Sequence, residues 1–512
     1  MTKTCLFSSA WTAKFGCWLV TFPLCCSLAL AQGQTGRLRF QIRLAPELGV
    51  GIQSGRLIVF LSAGGEPQQE LKREPGAALQ SMWIAAEEIR NLQPGQTVDF
   101  DPDRLAWPTG FSNAPRGNYQ AMAVLDVNHH YAYNGLNPGD LRSRVLQIKD
   151  LDPRRASSIE LVLAERIDAA QIKLPSGSEL LDFTSPLLSK FWGRPTHIRG
   201  IVVLPSNYAQ SVRRYPAVFA VGGFTLDLAQ LAAWAPTSLG KGMADRLFPE
   251  MIHVVLDESC PAGTHEFADS LNNGPRGRAL TEELVPYLES KYRMIGKPGG
   301  RLVWGGSSGG WAVLWLQVNY PGTFGGAWVI APDSPDFRNF YGANLYANPP
   351  ENLYRGADGK TRAQWVQDWA QQDRVLGDYG GQWTSFESVF SPRGDDGRPQ
   401  PLFDRDTGAI DGTVAKAWQL YDIAGIIRRN ADHLRPLLDG KIHLTVGAAD
   451  AFGPSADHLL EETLKEARIG AIFAYLPGRG HFDVDAGGWM PVHGGLLEQI
   501  FLEMDAVARR QK

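Results

Sequence analysis

Between residues 37 and about 165 the chain repeats short runs in which apolar and polar positions alternate. Arg37-Leu38-Arg39-Phe40-Gln41-Ile42-Arg43-Leu44 alternates strictly, as a strand with one buried face must, because successive side chains of a strand point to opposite sides. Runs of the same kind occupy 56–62, 119–127, 144–148 and 157–163, and turn-forming clusters such as Leu92-Gln93-Pro94-Gly95 separate them. Several short strands punctuated by turns predict an all-β, sandwich-like domain over residues 32–165. After residue 166 the rhythm changes. Unbroken apolar runs at 198–204, 217–221, 252–256, 301–304, 327–330, 442–446 and 472–476 alternate with helical periodicity at 281–292, 311–318 and 455–467. Strands that are apolar on both faces and separated by helices belong in a mostly parallel sheet covered on both sides, so residues 166–512 read as an α/β domain. A Trp-, Gly- and Asp-rich stretch at 340–430 breaks the alternation and predicts a lid-like insertion over the carboxyl edge of the sheet.

The first 31 residues follow neither pattern. Lys3 and Lys14 lead into an apolar run from Phe15 that ends in Ala29-Leu30-Ala31 before Gln32, the charge, apolar segment and A-x-A exit of a cleavable signal peptide. The run approaches the roughly 20 residues that a membrane anchor needs, but Pro23 interrupts it and the small-residue exit favours cleavage. No later run reaches 18 apolar residues. The mature chain is therefore expected in the periplasm or outside the cell, without a stable membrane span.

Length and composition narrow the function. A chain of 512 residues exceeds a single ordinary core. Its net charge of −4 falls to about −6 once the two lysines of the leader are removed, which leaves no basic footprint for nucleic acid. Four of the five cysteines (Cys5, Cys17, Cys25, Cys26) lie in the leader. Cys260 alone remains, so the mature chain can form neither an internal disulfide nor a multi-cysteine metal site. Asp126-Val127-Asn128 and Asp140 lack the glycine and bidentate glutamate of a calcium loop and read as Asx turns. His129-His130 has no third ligand at useful spacing. No metal or organic cofactor is expected.

The candidate chemistry centres on Leu302-Val303-Trp304-Gly305-Gly306-Ser307-Ser308-Gly309-Gly310-Trp311, which contains G-x-S-x-G in two overlapping frames between an apolar strand and an amphipathic helix. A serine on a tight strand-to-helix turn has a strained backbone and close neighbouring chains, which explains glycine at −2 and +2. Gly305 and Gly309 flank Ser307, so Ser307 is the candidate nucleophile and Ser308 the alternative. A serine hydroxyl needs a base. His481, in Gly480-His481-Phe482 just beyond the last predicted strand, is placed to be that base. Asp450, at the end of Gly447-Ala448-Ala449-Asp450 after the preceding strand, would orient it; Asp457 on the next helix is the alternative. The order Ser, acid, His is that of α/β-hydrolases. Donors for a developing oxyanion are expected from the backbone N–H groups of Phe224, in Val221-Gly222-Gly223-Phe224, and Ser308. Asn272, Asn273 and Trp311 are candidate substrate contacts, and Trp365, Trp369, Trp383 and Trp418 either pack the lid or line an aromatic pocket. Cys260 reads as a passive thiol.

On these residues the segment from about 175 to 505 resembles the esterase family that includes esterase D, enterochelin esterases and feruloyl esterases. The likeness rests on the Gly222-Gly223-Phe224 loop, the elbow at 305–310, the strand end at Asp450 and Gly480-His481-Phe482. The stretch Phe267-Ala268-Asp269-Ser270-Leu271-Asn272-Asn273-Gly274-Pro275 is also similar to secreted members. The resemblance implies an α/β-hydrolase fold and serine-dependent hydrolysis of carboxylic esters without a cofactor. Val221 stands where many relatives have a histidine. The substrate is left open among acyl sugar, aryl and siderophore esters. Two other readings compete: acyl transfer to a sugar or lipid alcohol, and a glycan- or siderophore-binding protein with a vestigial triad.

Overall fold

The computed structural model describes residues 37–65, 81–129, 137–169, 171–377, 381–484 and 491–510. The expected leader and His130 lie outside the described residues. The first sheet contains β1 (Leu38–Leu44), β2 (Gln53–Ser62), β3 (Met82–Leu92), β4 (Thr97–Phe100), β5 (Ala106–Trp107), β6 (Gly117–Asp126), β7 (Leu141–Ser143), β8 (Leu146–Leu151) and β9 (Ser157–Arg166). They form one hydrogen-bonded sheet in the order β4-β1-β9-β7-β6-β2-β3-β5, with β8 also on β6. Among the described strands of this sheet only β1 and β9 run parallel. β1 has the expected alternation, with Leu38, Phe40, Ile42 and Leu44 fully buried. β2 does not: Leu57, Ile58, Val59, Phe60 and Leu61 are all buried. Both of its faces are covered. Leu57, Val59 and Leu61 share a core with β1 and β9, whereas Ile58 and Phe60 pack with Ile84, Met122, Val124 and Val375. Val375 comes from the helix Gln364–Leu376 of the insertion, so the outer face of this sheet is closed by an element some 300 residues along the chain.

The second sheet holds β10 (Ser178–Thr184), β11 (His197–Val203), β12 (Ala217–Val221) and β13 (Ile252–Leu256). Two short ladders follow: β14 (Ser259–Cys260) with β15 (Gly263–Thr264), and β16 (Asp269–Ser270) with β17 (Gly274–Pro275). The sheet then continues through β18 (Arg301–Ser307), β19 (Gly326–Pro332), β20 (Ile442–Gly447) and β21 (Ala471–Leu476). Its order is β10-β11-β13-β12-β18-β19-β20-β21, antiparallel as far as β13 and parallel from β13 to β21. Parallel neighbours require crossovers, and the helices Leu228–Ala235, Ser308–Asn319 and Ser455–Glu466 supply them. The helix Leu228–Ala235 begins in a capping box between Asp227 and Gln230, which satisfies two N-terminal donors that helix geometry leaves open.

The insertion at 340–430 is not a loose flap. It contains the helices Gln364–Leu376, Gln382–Phe390, Gly412–Trp418 and Ile423–Arg429, and its Phe340, Trp383, Phe386, Phe390 and Trp418 belong to the same apolar core as the second sheet. Large aromatic faces removed from water on this scale fix the insertion against the sheet.

Candidate active site

Ser307 ends β18 and precedes the helix Ser308–Asn319, with φ 55° and ψ −127°. A non-glycine residue rarely adopts that region, because its Cβ crowds the backbone. The turn persists because the chains around it pack too closely to relax. A Cβ on Gly309 would lie 2.3 Å from the carbonyl oxygen of Val221, and one on Gly305 2.3 Å from that of Gly309. The strand, the turn and the helix start can therefore approach only through glycine.

His481 and Asp450 meet this serine from the strands on the far side of β18. Ser307 Oγ lies 3.1 Å from His481 Nε2, and His481 Nδ1 lies 2.9 Å from Asp450 Oδ2. With Asp450 ionised, the tautomer that makes both bonds carries its proton on Nδ1, which leaves the Nε2 lone pair to accept the serine proton. The loops carrying the acid and the base are joined directly, since the Ala449 N–H donates to the Arg479 carbonyl at 2.9 Å. The other carboxylate oxygen of Asp450 accepts from the Phe452 N–H at 2.8 Å, and the Phe452 ring packs edge-on to the His481 imidazole with centroids 4.3 Å apart. The acid is thus held by backbone on one side and the base by an aromatic wall on the other.

Ser308 is differently placed. It is fully buried, its Oγ donates to Asp333 Oδ2 at 2.6 Å, and it accepts from Gln382 Nε2 at 3.2 Å. Tyr341 donates to the other Asp333 oxygen at 2.8 Å. Burial raises the Asp333 carboxyl above the usual carboxylate range, partly offset by these two donors. Burial also pushes the neighbouring Glu258 up to about 8 and Glu266 well above its ordinary value. Of these three acids, Asp333 is the one whose carboxyl group is bonded to the turn, through Ser308. Asp457 sits in the helix Ser455–Glu466, with burial and then the charge of Asp450 raising its carboxyl; the hydrogen bond to His481 comes from Asp450.

The loop proposed for oxyanion donors lies against the elbow. Gly223 has φ +120°, and a Cβ there would be 2.8 Å from the Gly306 carbonyl oxygen and 3.8 Å from Ser307 Cβ. The helix Ser308–Asn319 has no side-chain cap at Ser307; its first N–H groups have no acceptor within the helix and lie at the positive end of its dipole. Phe224, Ser307 and His481 all line one cavity of about 410 Å³.

Asn272, Asn273 and Trp311, expected as substrate contacts, are not among the residues lining this cavity. Asn272 Nδ2 donates to the Ser391 carbonyl at 2.9 Å and Asn273 Nδ2 to the Ser388 carbonyl at 3.2 Å, so both tie the insertion to the β16–β17 turn. Trp311 is buried and stacked on Trp315 at 5.3 Å. Among the insertion tryptophans Trp369 reaches the cavity, while Trp383 and Trp418 are core residues. Residues that sequence reasoning missed are Trp234, Trp304, Phe452 and Phe482 of the cavity wall. Phe452 and Phe482 stand two and one places after Asp450 and His481, and that adjacency was the available signal. Cys260 is a buried free thiol whose ionisation burial pushes up to about 11. Asn128 N–H donates to Asp126 Oδ1 at 3.1 Å, an Asx turn. No group of metal-ligating side chains occurs among the described residues, and no described helix is long and apolar enough to cross a membrane.

A mostly parallel sheet wrapped in helices, with a strained Ser turn, an acid and a histidine after β18, β20 and β21, defines the α/β-hydrolase fold. The chain belongs to the esterase family: the family model described as "Putative esterase" matches residues 193–474, more than half of its length. Membership makes it a carboxylic ester hydrolase. Among solved structures it is similar to a ferulic acid esterase at 14% identity and a TM-score of 0.40, covering 65% of this chain and 98% of that one. An S-formylglutathione hydrolase from Agrobacterium tumefaciens matches at 14% identity and TM-score 0.38, over 66% and 97% of the two chains. A ferulic acid esterase from Anaeromyces mucronatus matches at 16% identity and TM-score 0.33, over 65% and 93%. No curated protein matches the chain.

Proposed function

We propose that the protein is an exported serine esterase that works through an acyl-enzyme on Ser307. The observation that carries this reading is the unbroken contact from Ser307 Oγ through His481 to Asp450, at 3.1 and 2.9 Å. Ser307 Oγ attacks the ester carbonyl carbon as its proton passes to His481 Nε2, and the carbonyl oxygen becomes an oxyanion facing the Phe224 and Ser308 N–H groups. Collapse breaks the C–O bond of the alcohol, which leaves with the proton from His481. Water then attacks the acyl-Ser307 ester, again giving its proton to His481, and the acid departs as Ser307 is restored. Asp450 holds the Nδ1 tautomer and stabilises the imidazolium at each stage.

Ser307→Ala and His481→Ala are each expected to lower kcat for an aryl acetate by at least about 10⁴-fold, the loss typical of a removed nucleophile or base. Retention of near wild-type turnover in either variant would remove the triad assignment. Export rests on the leader pattern of residues 1–31. Its test is the amino-terminal sequence of the protein recovered outside the cytoplasm, which should begin at or near Gln32.

A further inference from the structure

The cavity at Ser307 is asymmetric, and its two ends have different chemistry. The sheet order puts β12 and β13 on one side of β18, and β20 and β21, which lead to Asp450 and His481, on the other. On the β12–β13 side the cavity runs under the helix Leu228–Ala235. Its floor is one cross-strand row: Ala220 pairs with Val255 on one side and with Trp304 on the other. Leu231 and Trp234 of the helix form its roof, with the Trp234 and Trp304 rings 6.2 Å apart. Ala220 has the smallest side chain of the row, so the space exists because that position is short. At the other end the walls are Trp369, Phe452 and Phe482 beside His481.

Among the described residues the lining contains no Asp, Glu, Lys or Arg. A carboxylate or ammonium carried into the chamber would leave its water and meet no opposite charge, which is strongly unfavourable. The chemistry of the reaction assigns the two ends. The leaving alcohol must take its proton from His481 Nε2, so it occupies the His481 end. The acyl group is then left with the chamber on the β12–β13 side. We propose that the protein selects esters of uncharged, apolar acids, whose acyl chain or ring fills the chamber between the row Ala220, Val255, Trp304 and the helix residues Leu231 and Trp234. This inference rests on Ser307 as the nucleophile.

The test uses p-nitrophenyl esters that differ only in the acyl part: acetate, butanoate, hexanoate, octanoate and the succinate monoester, whose free carboxylate is the one added charge. The expected result is that kcat/KM climbs from acetate, by up to about fourfold for each buried methylene, and that the anionic succinyl ester falls at least about tenfold below butanoate. Ala220→Leu should lower the octanoate-to-acetate ratio of kcat/KM by about tenfold or more, as a filled chamber excludes the chain. Because a larger side chain in a packed sheet can itself disturb folding, Trp234→Ala serves as the opposite variant and should move the optimum to longer acyl groups. A flat or falling series with Ser307-dependent acetate turnover would overturn the chamber assignment while leaving the nucleophile in place. Preference for the succinyl ester over butanoate would overturn it as well. Absence of Ser307-dependent turnover with every ester would overturn both.

Discussion

At the residue scale, two adjacent serines of the same type are separated by what their side chains meet. Ser307 faces His481 and the cavity, while Ser308 is committed to Asp333 and Gln382. Ser308→Ala should leave Asp333 short of one donor in a buried site and cost about 1–3 kcal/mol of stability. Its effect is therefore expected in the melting temperature, with the burst of alcohol release from an activated ester preserved. Asp373 offers a separate pH test. Burial pushes its carboxyl up to about 7, with Arg405 opposing and Glu387 reinforcing the shift. Its native form thus holds a proton that the unfolded chain has released above about pH 4. The native state binds more protons than the unfolded state across pH 4 to 7, so stability falls as pH rises through that window, by up to about 1.4 kcal/mol per pH unit. Asp373→Asn keeps an acceptor for the Thr384 N–H that Asp373 holds at 3.1 Å. Its melting temperature should gain on wild type progressively from pH 4 to pH 7 and hold a constant lead above. A gain that does not depend on pH would contradict the assignment.

At the scale of elements, the helix Gln364–Leu376 links the first sheet to the cavity. Trp369 lies on the cavity wall, and the C-terminal end of the helix is fastened to β2 by Arg56. The Arg56 guanidinium donates to the Val375 carbonyl at 2.9 Å from Nε and 2.5 Å from Nη2, and to the Arg374 carbonyl at 3.2 Å. It also pairs with Glu88 at 2.7 Å. These bonds satisfy carbonyls that a helix end leaves open. Arg56→Ala removes them and uncovers the Val375 contact with Ile58 and Phe60. Stability should drop by about 1–3 kcal/mol, and KM for esters should rise more than kcat falls, because the wall moves while the triad stays intact. Equal effects on acetate and on large esters, with unchanged KM, would show that the first sheet does not hold the cavity wall.

The molecule as a whole was partly legible in its sequence, for reasons that differ by region. The runs at 217–221 and 252–256 coincide with β12 and β13, because a parallel central strand buried on both faces must be apolar throughout. β3 was missed: Ala85-Ala86-Glu87-Glu88-Ile89-Arg90 is rich in helix formers, and pairing with β2 overrides that local preference. β10 was missed because it is an edge strand, half exposed, with little periodic signal. In the candidate site, Ser307, Asp450 and His481 were readable because each follows a strong strand, in the chain order of α/β-hydrolases. The cavity wall was not. Ala220, Val255 and Trp304 come together only through strand register, and Trp369 through a helix anchored by Arg56. Asn272 and Asn273 show the converse, since polar residues near a family-like motif are here structural ties to the insertion.

Covalent labelling by a fluorophosphonate, with mapping of the modified peptide, tests Ser307 as the nucleophile. The prediction is one phosphonylated site at Ser307 in the wild type and in Ser308→Ala, with none in Ser307→Ala. Label that persists in Ser307→Ala, or that maps to Ser308, would contradict it.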